Sequence, residues 1–174
     1  FSMKKLLVIL GPTSTGKTYL VRKISDEMGG KLVIVLLGHH TPDEICGFQI
    51  LADTVLVSAD PYWWREAEEF AVNNPDKFVI VFLDELDKSK EEVQGVMCTV
   101  TRNKTLRGKV LPKNVLFVAA CNPTNFKGAF RSRVAFIPVP LTRERLLEVA
   151  EDHWLAKTAA VSVPVEIAHN HDPD

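Results

Sequence analysis

The sequence predicts an α/β domain built on a mainly parallel five-stranded sheet. Three observations carry that prediction. Five short runs are almost wholly apolar, at residues 6–10, 31–37, 78–83, 115–120 and 134–139. Such runs suit strands covered on both faces, as parallel sheets require. Between the first two runs the apolar spacing is helical, so strand, helix and strand succeed one another as a βαβ unit, for which a right-handed crossover is expected. The turn that joins the first run to that helix reads Gly11-Pro12-Thr13-Ser14-Thr15-Gly16-Lys17-Thr18. This is G-x-x-x-x-G-K-T, the pattern of a phosphate-binding loop, in the strand-to-helix setting the pattern needs.

Composition bounds the answer. The chain has 174 residues, 46% of them hydrophobic, enough for one ordinary core. A formal net charge of −1 gives no basic field with which to hold nucleic acid by bulk electrostatics. Apolar runs such as Leu32 to Leu37 are far too short for a membrane span. The start has a short basic flank and too few apolar residues for a signal peptide. Cys46, Cys98 and Cys121 form no C-x-x-C pair, which argues against a disulfide frame or a zinc site. A cytoplasmic, reduced chain with no membrane contact is expected.

Taken in order, Leu6 to Leu10 is the first strand and the loop follows. Gly11 and Gly16 let successive backbone N–H groups turn inward, and the positive end of the next helix adds to them. Lys17 is placed to reach outer phosphates, and the Thr18 hydroxyl to ligate Mg²⁺. With Pro12, Thr13, Ser14, Thr15 and Tyr19, these residues form the candidate nucleotide cradle. Leu20, Val21 and Ile24 share one helix face, Met28 continues it, and Gly29-Gly30 is the stop. The second strand runs from Lys31 to Leu37 and closes at Gly38. His39-His40 reads as the start of a polar loop.

Thr41-Pro42-Asp43-Glu44 carries the signs of a helix start, and Gly47 keeps that helix short. Thr54 to Val57 is β-like, so a hairpin fits between residues 50 and 58. Asp60-Pro61 opens a further helix bearing Trp63, Trp64, Ala67, Phe70 and Ala71, ending near Asn73-Asn74-Pro75. Adjacent tryptophans on a helix are expected to face different surroundings, one of them a contact for a partner; packing of both at the helix–hairpin junction is the alternative.

The third strand, Phe78 to Leu83, ends in Asp84-Glu85. An acid pair directly after a buried strand, in a chain with a phosphate loop, has the form of a Walker B motif. Asp84 can hold Mg²⁺ through water, and Glu85 can orient and polarise the water that attacks a terminal phosphate. Ser89-Lys90-Glu91-Glu92 matches a capping box, and Val93, Val96, Met97 and Val100 form the core stripe of the helix behind it. Residues 101–109 are polar and basic and turn around Gly108. The fourth strand ends at Cys121-Asn122, where Asn122 can reach the same water as Glu85. Arg131 and Arg133 precede the last strand. A final helix is expected over residues 142–156, followed by a frayed tail.

This order of motifs resembles the AAA+ ATPases, over roughly residues 4–155. The stretches Gly47-Phe48, Pro61-Tyr62-Trp63, Phe82-Leu83-Asp84-Glu85-Leu86, Leu111-Pro112-Lys113-Asn114-Val115 and Ala119-Ala120-Cys121-Asn122-Pro123 bring it closest to the MoxR-like branch, of AAA_5 type. The resemblance implies a P-loop NTPase three-layer sandwich with sheet order 5-1-4-3-2. It implies ATP and Mg²⁺ as ligands, with Lys17 and Thr18 in Walker A and Asp84 and Glu85 in Walker B. Asn122 becomes sensor 1. Arg133, with Arg131, becomes an arginine finger acting on nucleotide held by the next subunit of a homo-oligomeric ring, six subunits being the candidate size. The work implied is remodelling of a protein client or assembly.

Residues 1–140 would be the nucleotide-binding core and 141–174 a partial lid helix and tail. After Arg145 there is no further arginine to serve as a sensor 2, so the lid is truncated or minimal. Three other readings share the phosphate loop: a nucleic-acid motor, a nucleotide-dependent scaffold that does not hydrolyse, and a small-molecule kinase.

Overall fold

The computed structural model describes residues 6–12, 15–122 and 134–138. Its centre is a five-stranded parallel sheet made of β1 (Leu6–Leu10), β2 (Lys31–Leu36), β5 (Val79–Asp84), β8 (Val115–Cys121) and β9 (Val134–Pro138). The strand order is β2-β5-β8-β1-β9. Counting these five core strands along the chain, this is 5-1-4-3-2 read from the far edge, the order expected from resemblance. The register places Leu7 opposite Val118 and Leu83 opposite Ala119. It brings the C-terminal ends of β1, β5 and β8 to one edge of the sheet.

Side chains alternate between the two faces, as the pleat dictates. Leu7, Ile9, Ile80, Phe82, Val118, Ala120 and Ile137 pack under α1 (Lys17–Glu27), which buries Val21 and half-buries Leu20 and Ile24 there. Val8, Val33, Val35, Val79, Val81, Leu83, Val115, Phe117 and Ala119 face the opposite side. That side is covered by α2 (Pro42–Cys46), α3 (Tyr62–Asn73) and α4 (Glu91–Asn103). Helix, sheet and helices make the three layers.

Helix α2 begins as its residues require. The Thr41 hydroxyl accepts from the Glu44 backbone N–H, and the Glu44 carboxylate takes the Thr41 N–H at 2.7 Å, a complete capping box with Pro42 at the first position. The bond from the Thr41 backbone N–H, and after it one donated by the Thr41 hydroxyl at 3.1 Å, hold the Glu44 carboxyl below its ordinary value. The box expected at Ser89 does not form. Lys90 is the N-cap of α4, and the Ser89 hydroxyl donates instead to Leu86 O at 2.7 Å. Leu86 opens a 3-10 turn, Leu86–Lys88, and its carbonyl also accepts from Gln94 Nε2 at 3.1 Å, so the hydroxyl joins a local turn network in place of a helix cap.

Two small ribbons interrupt the α/β pattern. β3 (Phe48–Ala52) and β4 (Val55–Ala59) form an antiparallel hairpin between α2 and α3. β6 (Thr105–Leu106) and β7 (Lys109–Val110) form another between α4 and β8, turning at Arg107-Gly108. The Arg107 guanidinium donates to Gly47 O, and Lys109 pairs with Asp60, so the second ribbon is tied to both ends of the first.

Of the two readings of the tryptophan pair, different surroundings with one partner contact is overturned, and packing of both agrees with their burial. Trp63 and Trp64 are both wholly buried in one cluster, their rings edge to face at 5.6 Å. Successive helical residues lie about 100° apart, and an apolar arc can be that wide. His39, read as the start of a polar loop, ends a 3-10 turn, Leu37–His39, that follows β2. The helix expected over 142–156 lies outside the described residues, as does the tail.

Candidate functional site

The cleft at the C-terminal edge of the sheet holds about 320 Å³. It is lined by Thr15, Gly16, Lys17, Thr18 and Tyr19 from the loop and the start of α1. From the end of β5 and the turn after it come Asp84, Glu85, Asp87 and Lys88, and from the end of β8 come Cys121 and Asn122. Residues far apart in the chain meet here because β1, β8 and β5 are neighbours in the sheet.

Gly16 caps α1 at φ 77°, a left-handed conformation, and a Cβ built there would meet nothing within 4 Å. The space is open and the conformation is what demands glycine. No acidic residue occupies the first turn of α1. That first turn lines the cleft, so the positive end of the helix dipole lies at the cleft wall. The Lys17 ammonium donates to Gly11 O and Pro12 O, each at 2.7 Å, and so lies folded over the loop. Burial lowers its pKa most; Asp84, Cys121 and Asp87 oppose that shift.

Across the loop, the Thr18 hydroxyl donates to Asp84 Oδ2 at 3.0 Å. The other Asp84 oxygen accepts the Glu85 backbone N–H at 2.9 Å. A hydroxyl and a carboxylate side by side are hard oxygen donors of the kind Mg²⁺ takes, one or two from protein and the rest from phosphate and water. Among the described residues no three His, Cys, Asp or Glu side chains gather into a metal cluster. The Thr18 hydroxyl and Asp84 carboxylate are a donor set that fits a largely hydrated magnesium ion bound along with a phosphate.

Glu85 itself sits at φ 57°, outside the regions most residues adopt. Its carboxylate is paired with Lys88, and His39 Nε2 stands 3.7 Å from its other oxygen. The bond to Glu85 raises the Lys88 pKa. Asn122 donates its backbone N–H and its Nδ2 to Asp87, at 3.1 and 3.3 Å. Burial, with the Asp87 charge next, pushes the Cys121 thiol up to about 12.

The structure therefore brings together Gly16, Lys17, Thr18, Tyr19, Asp84, Glu85 and Asn122, with Thr15 beside them. Tyr19 is the most open of these, at 66% exposure. Thr13, Ser14, Arg131 and Arg133 lie outside the described residues. Sequence reasoning passed over Asp87 and Lys88, and read His39 only as the start of a polar loop. A signal existed for the first two: the run Asp84-Glu85-Leu86-Asp87-Lys88 keeps its charge past the strand end, where a plain turn has no need of it.

Residues 6–136 match the AAA domain of the dynein-related subfamily. A Lon protease of Brucella suis biovar 1 (strain 1330) is 28% identical over 166 residues, which cover 87% of this chain and 20% of the relative. The Lon proteases of Haemophilus influenzae and Vibrio parahaemolyticus are 27% and 26% identical over the same length. The chain spans about a fifth of the length of these curated relatives.

Proposed function

This chain belongs to the AAA domain family, dynein-related subfamily, and from that premise we propose that it binds ATP with Mg²⁺ and hydrolyses it to remodel a protein or macromolecular assembly. One observation carries the reading: Lys17, Thr18, Asp84, Glu85 and Asn122 line a single cleft.

The chemistry follows from the side chains. The loop from Gly11 to Thr18, with Tyr19 at its rim, receives the triphosphate on backbone N–H groups, and Lys17 turns its ammonium from loop carbonyls to phosphate oxygens. Thr18 and Asp84 hold Mg²⁺, which when bound neutralises charge on the outer phosphates. Glu85 orients a water molecule toward the γ-phosphorus and takes its proton as ADP leaves. Asn122 steadies that water from the end of β8. Lys17 and Lys88 face the carboxylates of Asp84, Glu85 and Asp87, a formal balance of −1 in the cleft. A triphosphate is therefore expected to enter with a divalent cation, and chelation of Mg²⁺ to weaken nucleotide binding.

Arg133, with Arg131, serves in this reading as the finger that completes a neighbour's site, within a ring for which six subunits is the candidate size. In the same reading residues 1–140 are the nucleotide-binding core and 141–174 a partial lid helix and tail. The MoxR-like assignment rests on the sequence stretches quoted for it, two of which, Gly47-Phe48 and Pro61-Tyr62-Trp63, flank the β3–β4 ribbon. A protein client is favoured over nucleic acid by the likeness to Lon proteases, whose name denotes action on polypeptide, and by the net charge of −1. A cytoplasmic setting agrees with three unbridged cysteines.

The test is phosphate release from ATP without an added acceptor. Glu85→Gln is expected to keep ATP binding and to lose about a hundredfold or more in turnover, the range for loss of a positioned general base. Unchanged turnover removes Glu85 from the role. Arg133→Ala is expected to be inactive alone and to regain activity when mixed with Glu85→Gln; no recovery on mixing means the finger does not act between subunits.

A further inference from the structure

Three carboxylates line the cleft, and Asp87 is the one outside the strand-end acid pair. It stands in the 3-10 turn after β5, and both its oxygens engage one residue. Oδ1 accepts the backbone N–H of Asn122 at 3.1 Å, and Oδ2 accepts from Asn122 Nδ2 at 3.3 Å. Asn122 is the first residue past β8, so the pair of bonds spans from the tip of one central strand to the turn after its neighbour.

An ionised carboxylate is an acceptor only. It fixes which way round the amide sits: nitrogen toward Asp87, oxygen away from it. Turning the amide over would set two acceptors against each other. One bond would leave the side chain free to pivot about its Cα. Two bonds, to main chain and side chain of the same residue, remove the pivot. Asp87 also favours the protonated form of Lys17, but less than Asp84 does, so charge balance at the loop is the smaller of its effects.

The geometry points to Asp87 as the positioning residue of Asn122: it sets the orientation of that amide in the cleft, and through it the rate of ATP hydrolysis. This rests on the ATPase reading above. Asp87 touches neither nucleotide nor water in this role; it acts through Asn122.

The test uses the full chain, with steady-state phosphate release, binding of a fluorescent ATP analogue, and four variants: Asp87→Ala, Asp87→Asn, Asn122→Ala and the double Asp87→Ala/Asn122→Ala. Asp87→Ala is expected to lower kcat about tenfold or more while KM for ATP stays within about twofold. Asp87→Asn keeps the shape and one acceptor oxygen, so it is expected to fold as the parent does and to fall between the parent and Asp87→Ala. The double variant is expected to be no slower than Asn122→Ala alone, since a residue that acts through another adds nothing once the other is gone. In Asp87→Asn the side-chain amide resonances of Asn122 are expected to shift.

Multiplying losses in the double variant overturn the proposal. So does a loss of nucleotide affinity with kcat unchanged, which would place Asp87 in binding. Parent-like kcat in Asp87→Asn with unshifted Asn122 resonances overturns it without relying on the alanine variant. A parent chain that releases no phosphate overturns the ATPase reading itself, and this role with it.

Discussion

Trp63 and Trp64 are both fully buried, but their indole nitrogens fare differently. Trp63 Nε1 donates to Ile45 O at 3.1 Å, whereas Trp64 Nε1 is buried with no hydrogen-bond partner among the described residues. A buried carbonyl stripped of its donor costs about 1–3 kcal/mol, while deleting an unpaired buried donor removes a penalty. Trp63→Phe is therefore expected to destabilise by about 1–2 kcal/mol more than Trp64→Phe, read from urea midpoints at constant slope. Equal losses would mean the Ile45 bond contributes nothing net. Asn114 works by the same accounting at the far edge of the sheet. Its Nδ2 serves Ala71 O, Asn74 O and Lys77 O, and so ties the end of α3 to the start of β8.

At the scale of elements, the β3–β4 ribbon shows where sequence pattern and backbone disagree. Its turn is Asp53-Thr54, with φ of 47° and 73°. Two left-handed residues give the turn that matches the twist of a tight hairpin, for which Asn-Gly is the favoured pair. A β-branched threonine there is strained. Thr54→Gly is expected to stabilise the chain by about 0.5–1 kcal/mol, less than the full left-handed penalty because glycine loses more entropy on folding. A fall in melting temperature would contradict the turn geometry. At the base of the ribbon the constraint reverses. A Cβ on Gly47 would lie 2.1 Å from Ala59 O, so no side chain fits where the strands converge. Beyond that base the ribbon exposes Phe48, Ile50, Leu51, Val55 and Val57.

At the scale of the molecule, β5, β8 and β1 each have a strand on both sides, while β2 and β9 each pair on one side among the described residues. The cleft sits at the ends of the three inner strands. Amides of β8 are expected to exchange slowest, at rates set by global unfolding, and those of β2 and β9 faster through local opening. Native-state hydrogen exchange reads this directly. If β8 exchanged as fast as β2, the site would rest on a frame that opens locally. A rigid centre has a use here, since positioned groups lose effect when they drift by about an ångström.

The sequence by itself determined what depends on near neighbours. Apolar runs marked the five strands, Thr41 with Glu44 marked a helix start, and the glycine and lysine spacing marked the loop, because backbone sterics and short hydrogen bonds act within a few residues. Sheet order came only through resemblance. Tertiary structure decided which distant groups meet: Thr18 finds Asp84 across 66 residues and Asn122 finds Asp87 across 35. It also buried both tryptophans and drew Ser89 from a cap into a turn. Those outcomes depend on which strands lie side by side and which faces they cover, and a local pattern carries no record of either.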